Sequence, residues 1–229
     1  MEWVGRHNRT DLGYDKILNY ANKNNLCIIQ IFAGNPSTFF VDKDIEEFIE
    51  IQKESKIKIV IHGHYTINLA KPTVSILYRK SIGLLIKLLK ISVSMGDNCL
   101  GVIIHMGKNV EKLSNEIYLN NFVEGIKYCL NSVPGSCVII ETSAGQGTEI
   151  ASKLPELYEI FKLLDLHNVK LCLDTCHVWA AGYVPNKKLL IDINKKIRNK
   201  LLVVHINNSA TDINSRVDRH ADLNDGKIR

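Results

Sequence analysis

Five β-strand-like runs in this chain each end on a residue that can bind a metal ion, and this regularity limits the possible folds more than any other feature. Each run is short and rich in β-branched residues, and a helical pattern separates it from the next. The runs are IKIVIH (57–62), CLGVIIH (99–105), CVIIE (137–141), VKLCLD (169–174) and LLVVH (201–205). If these strands lie parallel in one sheet, their C-terminal ends open onto one face, where three imidazoles and two carboxylates would meet.

The spacing of the strand-like runs predicts a chain of βα units. Seven such runs occur, at 3–6, 26–32, 57–62, 99–105, 137–141, 169–174 and 201–205. Their last residues are 26 to 43 positions apart, which is the length of a strand followed by a helix. Helical patterns fill the gaps, notably at 74–95, 110–131, 156–165 and 186–200. No linker or change of composition divides the chain, so we expect one domain over residues 1–229.

Seven βα units are one fewer than a closed (β/α)₈ barrel requires. A sheet of seven strands would leave two open edges, which must be covered or paired. The sequence stops at Arg229 in a loop-like stretch, DLNDGKIR, with no strand or helix pattern after it. We therefore expect an α/β fold, a TIM (β/α)₈ barrel truncated before its eighth strand. A chain that ends naturally and tolerates an incomplete barrel is the alternative.

Composition narrows the class of protein but does not identify an activity. Hydrophobic residues make up 45% and charged residues 23% of the chain, which is ordinary for a globular protein, and the net charge of +5 suits an anionic partner. The six cysteines form no CxxC pair, which indicates reduced, buried thiols. The most apolar stretch, 82–95, contains Lys87 and Lys90, and no signal peptide is visible. We expect no membrane segment and an intracellular protein, in the nucleus or cytoplasm.

Eight residues are candidate metal ligands, more than one tetrahedral ion can use. Five end the strand-like runs, and two further segments add the others. His177 follows Asp174 by three residues, and Asp218 and His220 are two apart, which in extended chain puts both side chains on one side. The full set is His62, His105, Glu141, Asp174, His177, His205, Asp218 and His220. Imidazole and carboxylate ligands favour Zn²⁺ or a similar cation, and their number indicates two or three ions.

The remaining histidines receive other interpretations. His64 and His167 are expected in exposed loops and are not candidate ligands. His7, at the end of the first strand, is a candidate for supporting a metal ligand or for contacting a phosphate. A single histidine at a strand end is more often a hydrogen-bonded structural residue, so the hypothesis rests on the set of five. The basic segment 195–200 is interpreted as a solvated helix face.

Four motifs closely resemble those of the endonuclease IV family of apurinic/apyrimidinic (AP) endonucleases. They are HGHYTINL (62–69), ETSAGQG (141–147), CLDTCHVWAAGY (172–183) and HINNSATDINSRVDRH (205–220), and the resemblance runs from residue 1 to 229. It implies a TIM barrel of the xylose-isomerase-like type that holds three zinc ions. The implied activity is cleavage of the phosphodiester 5′ to an abasic site in double-stranded DNA, leaving a 3′-hydroxyl. The implied partner is abasic DNA, bound by a monomer.

The resemblance also assigns roles to residues. His62 and His105 correspond to ligands of one zinc, with Glu141 bridging it to a second, and these three with Asp174 correspond to the catalytic centre. Asp174 and His205 correspond to further ligands of the second zinc, and the third zinc would be held by His177, Asp218 and His220. Tyr65 resembles the loop residue that enters DNA at the lesion, and His7 is the second candidate DNA contact.

Three departures from the family pattern qualify these assignments. The last zinc ligand of the family is a glutamate at the end of the eighth strand, so we expect two or fewer well-held zinc ions in this chain. Ser37 stands where relatives often have a DNA-probing arginine, and Asn208 where an aspartate is common. Two rival functions remain: a metal-dependent sugar isomerase of the same barrel group, and an inactive DNA-binding remnant.

Overall fold

The sheet of this protein is built from seven parallel strands in chain order. The computed structural model describes residues 3–8 and 13–229. The strands are β1 (Gly5–Asn8), β2 (Ile28–Phe32), β3 (Lys58–His62), β4 (Cys99–Ile104), β5 (Val138–Glu141), β6 (Val169–Asp174) and β7 (Leu201–His205). Each strand pairs with the next in parallel, in the order β1-β2-β3-β4-β5-β6-β7. All C-terminal strand ends therefore lie at one edge of the sheet, as the sequence predicts.

Helices connect the strands, as parallel pairing requires. They are α1 (Tyr14–Lys23), α2 (Ile45–Lys53), α3 (Ile76–Ser94), α4 (Asn115–Ser132), α5 (Leu154–Leu163), α6 (Thr175–Ala180) and α7 (Lys187–Lys196). Side-chain caps fix the starts of four of them: Ser75 accepts from Leu77 N, Ser114 from Ile117 N, Asp174 from His177 N and Asn186 from Leu189 N. A two-stranded antiparallel pair, β8 (Asn208–Ser209) and β9 (His220–Ala221), follows β7.

The two faces of the sheet bury different sets of side chains. Most of the apolar core lies between the outer face of the strands and the helices, around residues such as Ile61, Leu88 and Phe122. A second, smaller cluster contains Val60, Ile103, Cys137, Ile139 and Cys172. These residues alternate with outward-facing ones along the strands, so the second cluster fills the inner face of the curved sheet.

The sheet curls around a cavity but has an open side. The cavity has a volume of about 1340 Å³, and residues of both β1 and β7, among them Gly5, His7, Val203 and His205, line it. Within residues 3–8 and 13–229, no strand pairs with the outer edge of β1 or β7. The arrangement is that of a TIM barrel with seven of its eight strands, which confirms the predicted fold class.

Several predicted boundaries differ from the observed ones. The first strand spans Gly5–Asn8, where 3–6 was expected, and α4 begins at Asn115 because Ser114 caps it. The helix expected at 186–200 ends at Lys196, and the amine of Lys200 binds the carbonyl oxygen of Asp165 and is not part of a solvated helix face. The helix α6 and the pair β8–β9 were not predicted. Cys27 is exposed, contrary to the expectation of buried thiols, although all six cysteines are free.

None of the described helices has the length and apolar character needed to cross a bilayer.

Candidate metal centre

Glu141, at the end of β5, lies near two imidazoles, one at the end of β3 and one directly after β4. Its Oε2 atom is 3.3 Å from His62 Nε2 and 3.4 Å from His105 Nε2. Glu141 Oε2 and His105 Nε2 are buried and have no hydrogen-bond partner. Buried polar atoms without partners are rare and costly, so this group of donors fits a cation that all three side chains could bind.

The other oxygen of Glu141 faces the end of β7. Glu141 Oε1 is 2.9 Å from His205 Nδ1, and the same nitrogen is 3.7 Å from Asp174 Oδ2. Asp174 and His205 are register partners on β6 and β7, which explains why their side chains meet. One carboxylate therefore contacts two groups of candidate ligands, which is the arrangement that a bridging role requires.

A third group of candidate ligands lies beside Asp174, toward solvent. Asp218 Oδ2 is 3.2 Å from His177 Nε2, and Asp218 Oδ1 is 3.2 Å from His220 Nε2. His220 Nε2 is also 3.7 Å from Asp174 Oδ2, so Asp174 contacts both the second and the third group. Asp174, His177 and His220 offer atoms close enough for one ion to bind all three. The structure thus brings all eight candidate ligands together.

A short helix explains how His177 reaches the cluster. Asp174 ends β6 and is also the N-cap of α6, where its Oδ1 accepts a 2.8 Å hydrogen bond from His177 N. The remaining Asp174 oxygen, Oδ2, accepts from Asn207 Nδ2 at 2.8 Å. The helix places His177 almost one turn beyond the strand end, so its ring lies over the same edge of the sheet as the strand-end ligands.

Glycines permit the close loop packing around His62 and His105. A Cβ atom on Gly63 would be 2.6 Å from Ile103 O, whereas the glycine N–H donates a 2.7 Å hydrogen bond to that oxygen. Gly107 has a φ of +81°, and a Cβ there would be 2.5 Å from Asn68 Oδ1. These positions hold the loops after β3 and β4 against each other, and with them the two imidazoles.

Three imidazoles of the cluster are oriented by oxygen acceptors behind them. His62 Nδ1 is 2.8 Å from Gly63 O, and His177 Nδ1 is 2.7 Å from Thr142 O. His205 Nε2 is 2.8 Å from Oε1 of Gln30. In each ring the nitrogen that faces the cluster is thereby left without a proton in the neutral form, which is the form that ligates a metal.

Charge stabilises the ionised carboxylates. Burial alone would raise the pKa of Glu141, but His105, His205 and His62 together lower it well below its usual range. Burial likewise would raise the pKa of Asp174, but the nearby rings of His205 and His177 lower it. Both groups are therefore anionic near neutral pH and available to a cation.

The imidazoles divide into two classes. Burial lowers the pKa of His105 to about 4, against the attraction of Glu141, so this ring is neutral and ready to bind a metal. Burial alone would lower the pKa of His177, but Asp218, Asp174 and Glu141 raise it to about 10. A proton on His177 supplies positive charge that a bound cation would replace.

Tyr65 and His7 lie beside the ligand cluster. Tyr65 is 60% exposed, and its ring contacts those of His62 and His105 edge-on, with centroids 5.8 Å and 5.6 Å away. His7 stacks on His62 at 5.7 Å, and its Nδ1 is 3.0 Å from Gln30 Nε2. These positions are compatible with contacts to a ligand at the mouth of the cavity.

The expectation that His64 lies in an exposed loop is wrong. His64 is 2% exposed, and its Nδ1 is 3.0 Å from Thr38 O. The loop after β2 covers it, because Tyr65 N also donates to Pro36 O at 2.9 Å. His167, in the turn after α5, is partly exposed.

Several residues that touch the ligands were not predicted from the sequence. Gln30 contacts His205, and Gln146 Oε1 accepts a 2.8 Å hydrogen bond from Asp218 N. Cys172 lies within reach of Glu141 and His205. Burial raises the pKa of Cys172 to about 12, so its thiol is protonated in this structure. Sequence periodicity could not identify Gln30 or Gln146, because each contacts a segment that is distant in the sequence.

Known proteins are similar to this chain in sequence and in fold. A family model described as a xylose isomerase-like TIM barrel matches residues 18–229. A putative endonuclease 4 of Acanthamoeba polyphaga mimivirus is 39% identical over 98% of this chain and 77% of the relative. The chain belongs to the endonuclease IV family. A probable endonuclease 4 of Sulfurihydrogenibium sp. is 32% identical over 98% of this chain and 84% of its own length.

Solved structures agree with this family assignment. Endonuclease IV from Thermus thermophilus superposes with a TM-score of 0.82 and 26% identity, covering 99% of this chain and 84% of that one. A D-tagatose 3-epimerase-like protein superposes with a TM-score of 0.77, but at 16% identity, so that likeness concerns the fold alone. The sequence relatives thus favour the endonuclease IV family over the sugar-converting enzymes that share the barrel.

Proposed function

We propose that this chain is a zinc-dependent AP endonuclease that hydrolyses the DNA phosphodiester 5′ to an abasic site and leaves a 3′-hydroxyl, in base-excision repair. The observation that carries the proposal is the convergence of eight imidazole and carboxylate ligands at the C-terminal edge of the sheet. Membership of the endonuclease IV family supports the reaction class.

The residues of the cluster have separable tasks in this proposal. Glu141, His62, His105 and Asp174 form the catalytic core, and His205, His177, Asp218 and His220 complete the ligand set. Glu141 would bridge two ions, since its oxygens face His62 and His105 on one side and His205 on the other. When bound, zinc ions lower the pKa of a coordinated water and neutralise charge on a phosphate.

The protein itself orients the ligands and shields the site. Backbone carbonyls of Gly63 and Thr142 fix the rings of His62 and His177. Glu141 is 2% and Asp174 0% exposed, so little water competes for their oxygens. No side chain needs to act as a general base, because every carboxylate of the cluster is a ligand in this scheme.

Double-stranded DNA with an abasic site is the proposed substrate. The exposed ring of Tyr65 at the mouth of the cavity would stack at the lesion, and His7 would lie near the backbone phosphate. The net charge of +5 favours such an anionic partner. We propose a monomer that acts in the nucleus or cytoplasm, which its six free cysteines support.

The decisive experiment uses a duplex with one tetrahydrofuran abasic analogue. We expect one cut on the 5′ side, a product with a 3′-hydroxyl that a polymerase extends, loss of cutting after EDTA treatment, and recovery with Zn²⁺. An intact duplex is the control. Tight, metal-independent binding without cutting would instead indicate a DNA-binding remnant, and zinc-dependent turnover of a ketose would indicate a sugar-converting enzyme.

A further inference from the structure

A buried glutamine on β2 joins two histidines that lie on either side of the open edge of the sheet. Gln30 is 9% exposed. Its Oε1 atom is 2.8 Å from His205 Nε2 on β7, and its Nε2 atom is 3.0 Å from His7 Nδ1 on β1. Because β2 and β7 are not neighbours in the sheet, this hydrogen bond crosses the cavity.

The contact has counterparts at two other rings of the cluster. His62 and His177 each direct the nitrogen away from the cluster to a backbone carbonyl, that of Gly63 and that of Thr142. For His205 the corresponding oxygen belongs to the side chain of Gln30. A substitution of Gln30 can remove this acceptor without moving the main chain. The other two acceptors are backbone carbonyls, which a substitution cannot remove.

We propose that Gln30 is a positioning residue of the metal centre. Its Oε1 accepts the Nε2–H of His205, so a cation that displaces the other ring proton would bind at Nδ1, the nitrogen that faces Glu141 and Asp174. The inference rests on the proposed metal-dependent function and adds to it a residue outside the eight ligands.

The amide nitrogen of Gln30 determines the orientation of the amide group. With Oε1 facing His205, the amide Nε2 of Gln30 donates to His7 Nδ1, which leaves the proton of His7 on its own Nε2. A single side chain thus sets the tautomers of two rings. It also links β7 to β1 and β2 on the side of the barrel where the described strands leave an opening.

Loss of such an acceptor weakens metal binding by about 10- to 100-fold in comparable sites. We expect Gln30→Leu to reduce the affinity for Zn²⁺ by that factor, measured by competition with a chromophoric chelator. We expect Gln30→Glu to retain affinity within a few-fold, because a carboxylate also accepts from Nε2–H. Imidazole ¹⁵N–¹H correlation spectra should show the Nε2–H tautomer of His205 in the zinc-loaded wild type and in Gln30→Glu.

Gln52→Leu is the matched control. Gln52 is fully buried on α2 and donates to the carbonyl oxygens of Ile49 and Met95, away from the cluster. This variant should lose stability without losing zinc affinity. An unchanged zinc affinity in Gln30→Leu, equal losses in Gln30→Leu and Gln52→Leu, or a His205 ring protonated at Nδ1 in the zinc-loaded protein would overturn the inference.

The test of Gln30 can fail or succeed independently of the test of the proposed endonuclease activity. A wild type that binds zinc but does not cut abasic DNA would contradict the activity, while the affinity ratio of Gln30→Leu still decides the role of Gln30. A wild type that cuts, with Gln30→Leu binding zinc normally, would contradict the inference alone.

Discussion

At the scale of the residue, Glu141 is buried among four imidazoles, and one of its oxygens has no hydrogen-bond partner. Glu141→Gln keeps the shape but removes the charge. We expect it to lose zinc and to lower incision by about 10²-fold or more, measured by elemental analysis and by cleavage of the abasic duplex. Glu124→Gln, on the exposed face of α4, is the control. Full zinc content with full activity would contradict the bridging role.

Tyr65 is proposed to bind DNA and not metal, so its substitution should separate the two. Tyr65→Ala should weaken binding of the abasic duplex by roughly 5- to 150-fold, the equivalent of about 1–3 kcal/mol of stacking, with zinc content unchanged. Tyr128→Ala is a matched control, because Tyr128 is also 60% exposed but lies on α4. Loss of zinc in Tyr65→Ala, or an equal effect of both variants on binding, would count against this role.

At the scale of the element, the loop after β5 holds the loop that carries Asp218. Gln146 Oε1 accepts from Asp218 N at 2.8 Å, and Gln146 N in turn donates to Glu149 Oε2 at 3.0 Å. Gln146→Leu should therefore weaken the outermost zinc, held by His177, Asp218 and His220, by about tenfold, while inner sites stay filled. Stepwise zinc titration measures this, with Asp218→Ala as the reference for complete loss. An affinity of the outermost site equal to that of wild type would show that the loop needs no such support.

Some structural elements could be predicted from the sequence and others could not. The strand ends were predictable because β-branched runs repeat at βα spacing, and the polar residue ending each run falls on the same edge of a parallel sheet. The six-residue helix α6 was not predictable, because it is too short to show a periodic pattern and its N-cap is the aspartate that ends β6. The burial of His64 and the bond from Gln30 to His205 depend on packing between distant segments, which local pattern does not encode.

At the scale of the whole molecule, the charge of the site predicts a pH dependence. Attraction by Asp218, Asp174 and Glu141 raises the pKa of His177 to about 10, and the pKa of His205 is also raised. Both rings therefore hold protons at pH 7, and zinc must displace them, so affinity should fall as pH decreases. Calorimetry in buffers of different ionisation enthalpy should report release of about one to two protons. A binding enthalpy independent of the buffer would contradict this charge balance.

The proposed function depends on metal ions at the shared edge of strands β3 to β7. Anomalous diffraction at the zinc absorption edge, from crystals of zinc-loaded protein, tests this directly. We expect at least two peaks, one of them about 2.0–2.2 Å from the carboxylate of Glu141 and from imidazole nitrogens of His62 and His105. A map without a peak at Glu141, or with zinc only at sites outside the eight ligands, would contradict the central claim.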